Sequence, residues 1–153
     1  MPTAWRLLKT KYLSRAWDGE GARLYGARWN RVGTPLVYTA ATLSLALVET
    51  LVHIPPGPLP AFTAIEIDFD ASLVTILPDR NLPTDWKAYP HATSTQAIGE
   101  KWVREAKSAV LRVPSVVVPM EFNYLLNPRH RDFSRIAIGT PMRFPFDPRL
   151  PLP

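Results

Sequence analysis

The chain has 153 residues and a formal net charge of +5, with 46% hydrophobic and 20% charged residues. These values predict one soluble, folded domain. There is no cysteine, which excludes disulfides and thiolate metal sites, and the three histidines lack metal-ligand spacing, so we expect no metal. The sequence shows neither a signal peptide nor a membrane-spanning run, and we expect a cytoplasmic protein without membrane contacts. The charge favours anionic partners, although the scattered basic residues do not favour nucleic acid.

The first third of the chain predicts two short strands and a helix. The elements are a strand at 4–8, a loop across the mouth of a cleft at 12–25, a buried strand at 36–40 and a helix that is capped by Thr42 or Ser44 and ends near His53. This helix is apolar nearly all round, with Glu49 in its middle. Such a pattern predicts a buried helix.

The rest of the chain predicts further strands around a second helix. The elements are a half-buried strand at 62–69 with a hairpin partner at 73–77, a helix at 94–107, β-rich segments at 109–113 and 116–120, a turn at 123–128, a strand at 135–139 and a proline-locked tail from 144. Together these elements predict an α+β domain around a strongly twisted, mostly antiparallel sheet with flanking helices.

Arg28 is the first candidate for a ligand contact. It precedes Trp29 and Asn30 between Gly26 and Gly33, which would let the backbone approach a ligand closely. A guanidinium binds phosphate or carboxylate oxygens through two parallel hydrogen bonds, which suits a pyrophosphate or ribose-phosphate group. The alternative is a structural ion pair, with Glu49 as its partner.

Glu49 is the second candidate, because a carboxylate on a buried helix is costly unless it is paired or used. It would accept hydrogen bonds from ribose hydroxyls, or stabilise positive charge on a sugar carbon as its leaving group departs. The alternatives are a salt bridge to Arg28 and a hydrogen bond to His53, one turn further along the helix.

Two further side chains are candidates. Tyr38 ends a buried strand and offers an aromatic face for nicotinamide or adenine, although an ordinary core tyrosine fits as well. Ser115 follows Pro114 and is a candidate hydrogen-bond donor to a phosphate. No Gly-x-Ser-x-Gly, dinucleotide-binding or P-loop motif is present, so a serine hydrolase is improbable and neither nucleotide fold is indicated.

Taken together, these segments resemble the RES domain, a family named for an arginine, a glutamate and a serine. The resemblance rests on Gly-Ala-Arg28-Trp-Asn-x-x-Gly, Val-Tyr38-Thr-Ala, Ser-Leu-Ala-Leu-Val-Glu49-x-Leu-Val-His and Val-Pro-Ser115-Val-Val-Val-Pro running on to Asn123, with a closing Phe-Asp-Pro-Arg-Leu. It covers nearly the whole chain, so residues 1–153 are expected to form a single RES domain. Ala27 stands where a second glycine is usual, which matters only if that position needs a positive φ.

The resemblance implies a toxin of a bacterial toxin–antitoxin pair, with a fold similar to diphtheria-type ADP-ribosyltransferases and NAD+ as its substrate. Members cleave the nicotinamide–ribose bond by hydrolysis or phosphorolysis, or transfer ADP-ribose to a protein. The expected catalytic residues are Arg28, Tyr38, Glu49 and Ser115, and the expected NAD+ contacts are Arg28, Trp29, Asn30, Tyr38, Ser115 and Asn123.

The resemblance also implies a partner, an antitoxin with an Xre-like helix-turn-helix part that binds DNA and another part that blocks the toxin. A basic toxin suits a more acidic partner. The protein would then contact nucleic acid only through the antitoxin. A homodimer is also possible on the sequence alone. Competing interpretations are a nucleic-acid-binding module and a non-catalytic domain in which Arg28 and Glu49 merely pair.

Overall fold

A computed structural model describes all residues, 1–153, and builds them around one eight-stranded sheet. The strands are β1 (Thr3–Lys9), β2 (Val37–Ala40), β3 (Phe62–Asp68), β4 (Val74–Ile76), β5 (Val110–Pro114), β6 (Phe122–Leu126), β7 (Ala137–Ile138) and β8 (Met142–Phe144). The α-helices are α1 (Glu20–Tyr25), α2 (Leu43–Leu51) and α3 (Thr93–Glu105). The strand order is β4-β5-β6-β2-β1-β3-β7, and β8 also pairs with β3. All pairs are antiparallel except β4 with β5, which confirms the predicted mostly antiparallel α+β architecture.

The sheet is weakly joined in its middle, between β1 and β2. These strands pair only at Trp5 and Ala40. By contrast, β1 pairs with β3 at seven successive positions and β2 with β6 at four. The two halves of the sheet therefore part beyond the Trp5–Ala40 pair, and the gap between them provides space for a ligand.

Helix α2 lies beside this gap. The Thr42 hydroxyl caps it by accepting a hydrogen bond from the Leu45 backbone N–H, at 3.1 Å, as the sequence predicts. Leu45 and Ala46 pack with Trp5 and Leu7 of β1. The expectation of a fully buried helix is wrong, because only Leu45 and Ala46 are buried and the remaining turns border the gap and the solvent.

The interior is divided between the two faces of the sheet. One face packs the larger cluster, which includes Ile67, Phe69 and Val110. Another cluster joins Trp29 and Leu36 to Trp102 of α3. Helix α3 approaches Trp29 so closely that a Cβ on Gly99 would lie 1.7 Å from the Trp29 carbonyl oxygen. The segment that carries Arg28 is thus fixed against α3.

Four predictions about local structure are wrong. Residues 12–25 are mainly helical rather than a loop, with a 3₁₀ helix at Thr10–Arg15 followed by α1. Strand β4 is a parallel partner of β5 and not a hairpin partner of β3. Residues 116–120 form a bend, and the neighbouring strand is Phe122–Leu126, part of the predicted turn. Each error arises because short segments take their conformation and partner from tertiary packing.

Candidate active site

A cleft of about 1120 Å³ opens where β1 and β2 part. Five of the predicted site residues line it: Arg28, Trp29, Tyr38, Glu49 and Asn123. They come from four parts of the chain, namely the segment before β2, β2 itself, α2 and β6. The fold therefore brings to one cavity residues that the sequence holds far apart.

Neutral donors hold the Glu49 carboxylate in place. Its Oε1 accepts a hydrogen bond from the Ser115 hydroxyl at 2.7 Å, and its Oε2 accepts one from the Asn123 Nδ2 at 2.8 Å. Ser115 is itself fixed, because its Oγ also accepts from the Val118 backbone N–H at 3.1 Å. No hydrogen bond joins Glu49 to His53. Neutral groups thus orient both carboxylate oxygens, and no cation of the protein neutralises the negative charge.

The half-buried position of Glu49 shapes its titration. Burial raises its pKa above the ordinary 4.5, while the hydrogen bonds from Ser115 and Asn123 and the charge of His53 lower the pKa and partly oppose this rise. A negative charge in such a site is poorly solvated. It therefore interacts strongly with any positive charge that develops nearby.

Arg28 is anchored by the backbone of residues 83–88. Its Nη1 donates to the carbonyl oxygens of Trp86, at 2.9 Å, and Ala88, at 2.8 Å. Burial lowers the pKa of the guanidinium and the Tyr38 phenol raises it, and the group is cationic at neutral pH. Nε and Nη2 have no protein partner, so they are free to donate to a ligand.

Arg28 and Glu49 do not pair with each other. No ion pair of the structure includes either residue. This excludes the structural ion pair as the explanation for both residues. A cation and a carboxylate that face one cleft separately are available to different parts of one ligand.

Tyr38 is fixed by the segment after Arg28. Its hydroxyl donates to the Asn30 Oδ1 at 2.7 Å and accepts from the Trp29 backbone N–H at 3.0 Å. Burial raises the pKa of the phenol, which therefore stays neutral. The Asn30 Nδ2 donates to the carbonyl oxygens of Ala22 and Thr34. Both polar ends of Asn30 thus bind protein atoms and lock Tyr38 against this segment.

Asn30 and Ser115 differ in position from the other predicted site residues. Both are fully buried, and neither lines the cleft. Asn30 lies behind Tyr38, and Ser115 lies behind Glu49. Direct ligand contact by either residue stays a prediction, and what the structure shows is that Asn30 binds the Tyr38 hydroxyl and Ser115 binds the Glu49 carboxylate. The φ of Ala27 is not positive, so its methyl group causes no backbone strain.

The cleft contains other charged residues that were not predicted from the sequence. These are Lys9, Lys11, Lys87, His53 and His91, together with Arg6, which the sequence left unassigned. Burial lowers the pKa of Arg6 to about 10, and its Nε and Nη1 donate to the carbonyl oxygens of Ala16 and Tyr38. For His53 a signal existed, because it follows Glu49 by one helical turn. The sequence contains no such signal for the lysines of the cleft, because single lysines are ordinary surface residues.

Burial, followed by the charges of Arg28 and His53, lowers the pKa of His91, which favours a neutral imidazole at neutral pH.

No cluster of three or more His, Asp or Glu side chains is arranged to hold a metal ion. None of the helices is both long and apolar enough to cross a bilayer.

Comparison with known proteins identifies close relatives. A family model described as "RES domain" matches residues 3–147. The protein named "Toxin Res" from Yersinia enterocolitica (serotype O:8 / biotype 1B) is 40% identical over 148 residues, which covers 95% of this chain and 97% of that protein. The "Prs ADP-ribosylating toxin" of Sphingobium sp. (strain YBL2) is 36% identical over 152 residues, covering 95% and 94%.

Among solved structures, the chain resembles one from the MbcT–MbcA toxin–antitoxin complex of M. tuberculosis. The TM-score is 0.74 at 19% identity, with 93% of this chain and 83% of that chain covered. At this identity the likeness concerns the fold alone, and it confirms the α+β fold with a mostly antiparallel sheet that the sequence predicted.

Proposed function

The chain belongs to the RES domain family, and on this basis we propose that it is the toxin of a toxin–antitoxin pair that depletes NAD+ by cleaving its nicotinamide–ribose bond. One observation carries the proposal. Glu49 is the sole carboxylate of a cleft that also presents five Lys and Arg residues, and it pairs with none of them. Such a site suits a ligand that is anionic overall and becomes cationic at one carbon.

The chemistry follows from this arrangement. The bond between the ribose C1′ and the nicotinamide nitrogen breaks, and its electron pair goes to the pyridinium nitrogen, which leaves as neutral nicotinamide. No proton is needed for this departure. The positive charge left on the sugar is stabilised by Glu49. Water then attacks C1′ and releases a proton to the solvent, or a phosphate oxygen attacks in its place.

The remaining residues bind and orient the substrate in this proposal. Arg28 donates Nε and Nη2 to phosphate or ribose oxygens. Tyr38 offers aromatic surface on the nicotinamide side. Trp29 is only 3% exposed and packs with Leu36 and Trp102, so it supports this side of the cleft from behind. Asn123 contacts the cofactor from the cleft wall and, with Ser115, keeps the Glu49 carboxylate aimed at C1′.

A direct assay tests the proposal. The purified protein is incubated with NAD+ with and without phosphate, and nicotinamide and the ribosyl product are separated by chromatography. We expect nicotinamide together with ADP-ribose or its phosphate adduct. Absence of nicotinamide under every condition, including with cell extract as a source of acceptors, contradicts the proposal.

Transfer of ADP-ribose to a protein is the second candidate, because a relative 36% identical to this chain is named an ADP-ribosylating toxin. The same cleavage would occur, with a protein nucleophile in place of water or phosphate. NAD+ labelled in its adenylate half distinguishes the two outcomes. Label that stays with macromolecules after denaturation and filtration indicates transfer, and label in the filtrate indicates depletion.

We also propose that an antitoxin covers this protein in the cell, since the structurally similar chain was solved in a toxin–antitoxin complex. The net charge of +5 favours an acidic partner. Co-expression with the product of a neighbouring helix-turn-helix gene should yield a complex and suppress nicotinamide release. Release at an undiminished rate in the complex contradicts this assignment.

A further inference from the structure

The side of the cleft formed by β1 contains a group of residues that the proposed chemistry does not use. Leu7 and Lys9 project from the same face of β1, because they are two residues apart, and both line the cleft. Lys11, Pro58 and Pro60 continue this side. We call these five residues the β1 wall. It combines apolar surface with two cations.

The two lysines of the β1 wall lie away from the carboxylate. Glu49 is held by Asn123, which pairs with Ala40, and Ala40 is the residue that pairs with Trp5. Glu49 is therefore near the closed end of the cleft. Lys9 lies four residues further along β1, about 13 Å at the usual rise of a strand. Lys9 and Lys11 therefore lie further towards the open end of the cleft than Trp5, the residue of β1 that pairs beside the Glu49 site.

The cations of the β1 wall have no hydrogen-bond or ion-pair partner in the protein. Neither Lys9 nor Lys11 takes part in an ion pair. Lys11 is exposed, and its Nζ lies 5.1 Å from the centre of the Tyr12 ring. Two unpaired ammonium groups beside an open cavity attract an anionic group, and phosphate is a preferred ligand of lysine.

The proline segment supplies a rigid apolar surface. The residues from Pro55 to Pro60 are exposed and follow α2 into β3, and Pro55, Pro56, Pro58 and Pro60 all line the cleft. Fixed φ angles mean that such a surface loses little entropy when a flat ring packs on it. Together with Leu7, it suits the base of a nucleotide.

We propose that the β1 wall is a subsite for an adenylate group, with the phosphate bound by Lys9 and Lys11 and the purine packed on Leu7 and the proline segment. The inference rests on the proposed function, because the adenylate group would be the half of NAD+ that does not react. Arg28, Tyr38 and Glu49 would then hold the nicotinamide mononucleotide half.

Kinetics with two substrates test the subsite. Nicotinamide mononucleotide contains the scissile bond and lacks the adenylate half. For a Lys9→Gln/Lys11→Gln double variant we expect KM for NAD+ to rise roughly tenfold or more, as loss of charge-assisted contacts implies, and kcat/KM for the mononucleotide to change much less. Lys9→Arg/Lys11→Arg should restore most of the affinity, and Lys107→Gln, outside the cleft, is the matched control. Equal losses on both substrates, or an unchanged KM for NAD+, overturn the subsite.

Binding of AMP gives a readout that does not need activity. Calorimetric titration should show that AMP binds the wild-type protein and binds the double variant more weakly. If the wild-type protein cleaves neither substrate, the proposed function fails, while weaker AMP binding by the variant still supports the subsite. Absence of AMP binding, or binding that the lysine substitutions leave unchanged, overturns it.

Discussion

At the scale of single residues, Glu49 is the group whose surroundings are most informative. A carboxylate paired with arginine would have its charge neutralised and its pKa lowered. Glu49 instead receives hydrogen bonds from the neutral groups of Ser115 and Asn123, and burial raises its pKa. The environment orients the charge and leaves it available to a substrate.

Glu49→Gln should abolish most activity and preserve the fold. The amide is isosteric and can accept from Asn123 while donating to the Ser115 oxygen. Because the pKa of Glu49 is raised, the wild-type protein loses stability as pH rises from 4.5 through the folded-state pKa, and the variant avoids this loss. We expect kcat to fall on the order of 10²–10³-fold, as for other groups that stabilise transition-state charge, with an equal or higher Tm at pH 7.

Glu121→Gln is the matched control, because this carboxylate is exposed and outside the cleft. It should leave kcat unchanged. Near-wild-type turnover by Glu49→Gln in the nicotinamide-release assay would rule out the assigned role of the carboxylate.

The pH dependence of activity should report the titration of Glu49. Activity should decline on the acid side as the carboxylate is protonated, with a midpoint above 4.5 in kcat/KM. The hydrogen bond from Ser115 lowers this pKa, so Ser115→Ala should move the acid limb to higher pH. Ser108→Ala, another buried serine but far from the cleft, should reduce stability without moving the limb. If the acid limb of the pH profile has the same midpoint in Ser115→Ala as in the wild-type protein, Ser115 does not position the Glu49 carboxylate.

At the scale of elements, α3 supports the site although it carries none of the predicted site residues. Its Gln96 Nε2 donates to the carbonyl oxygens of Ala27 at 3.1 Å and Asn30 at 3.3 Å. Gly99 allows the helix backbone to approach Trp29. The position of Arg28 therefore depends on a helix about 70 residues further along the chain.

Gly99→Ala tests this support. Alanine is intrinsically better than glycine in a helix by up to about 1 kcal/mol. The new Cβ would, however, meet the Trp29 carbonyl oxygen at 1.7 Å, which backbone atoms cannot accommodate without moving. We expect a net loss of about 2–3 kcal/mol in urea unfolding, in the range of overpacked cores, together with weaker NAD+ binding.

Gly21→Ala in α1 is the comparison, because a Cβ there has no atom within 4 Å. This variant should keep its activity and unfold at an equal or higher urea concentration. If Gly99→Ala behaved in the same way, the close packing of α3 on Trp29 would be irrelevant to the site.

The helices and strands also show which features of the fold can be predicted from the sequence. The position of helix α2, but not its burial, was predicted correctly, because the signals for where it begins and ends are local, with Thr42 as the cap and prolines beyond its end. Strand β6 was missed because Asn123 and Asn127 are typical turn residues, whereas here Asn123 serves Glu49 and Asn127 is buried. The parallel pairing of β4 with β5 could not be predicted, since a short apolar run does not encode its partner.

At the scale of the whole molecule, the cleft results from how the two halves of the sheet part. A single pair joins β1 to β2, and beyond it Tyr38 and Lys9 lie on different sides of the gap. Five of the residues predicted from the sequence, largely through its resemblance to the RES domain, do line this cleft. The sequence did not predict that Asn30 and Ser115 would lie behind the cleft wall, because burial of a polar residue depends on partners distant in sequence.

In the proposed mechanism, Arg28 and Glu49 act on two parts of one NAD+ molecule. The most direct measurement is a crystal structure of the Glu49→Gln variant with NAD+, since this variant should bind the substrate without consuming it. We expect the nicotinamide ribose C1′ to face residue 49, and a phosphate or ribose oxygen of the same molecule to accept hydrogen bonds from Arg28. NAD+ bound outside the cleft, or bound in it without contact to either residue, would contradict the account.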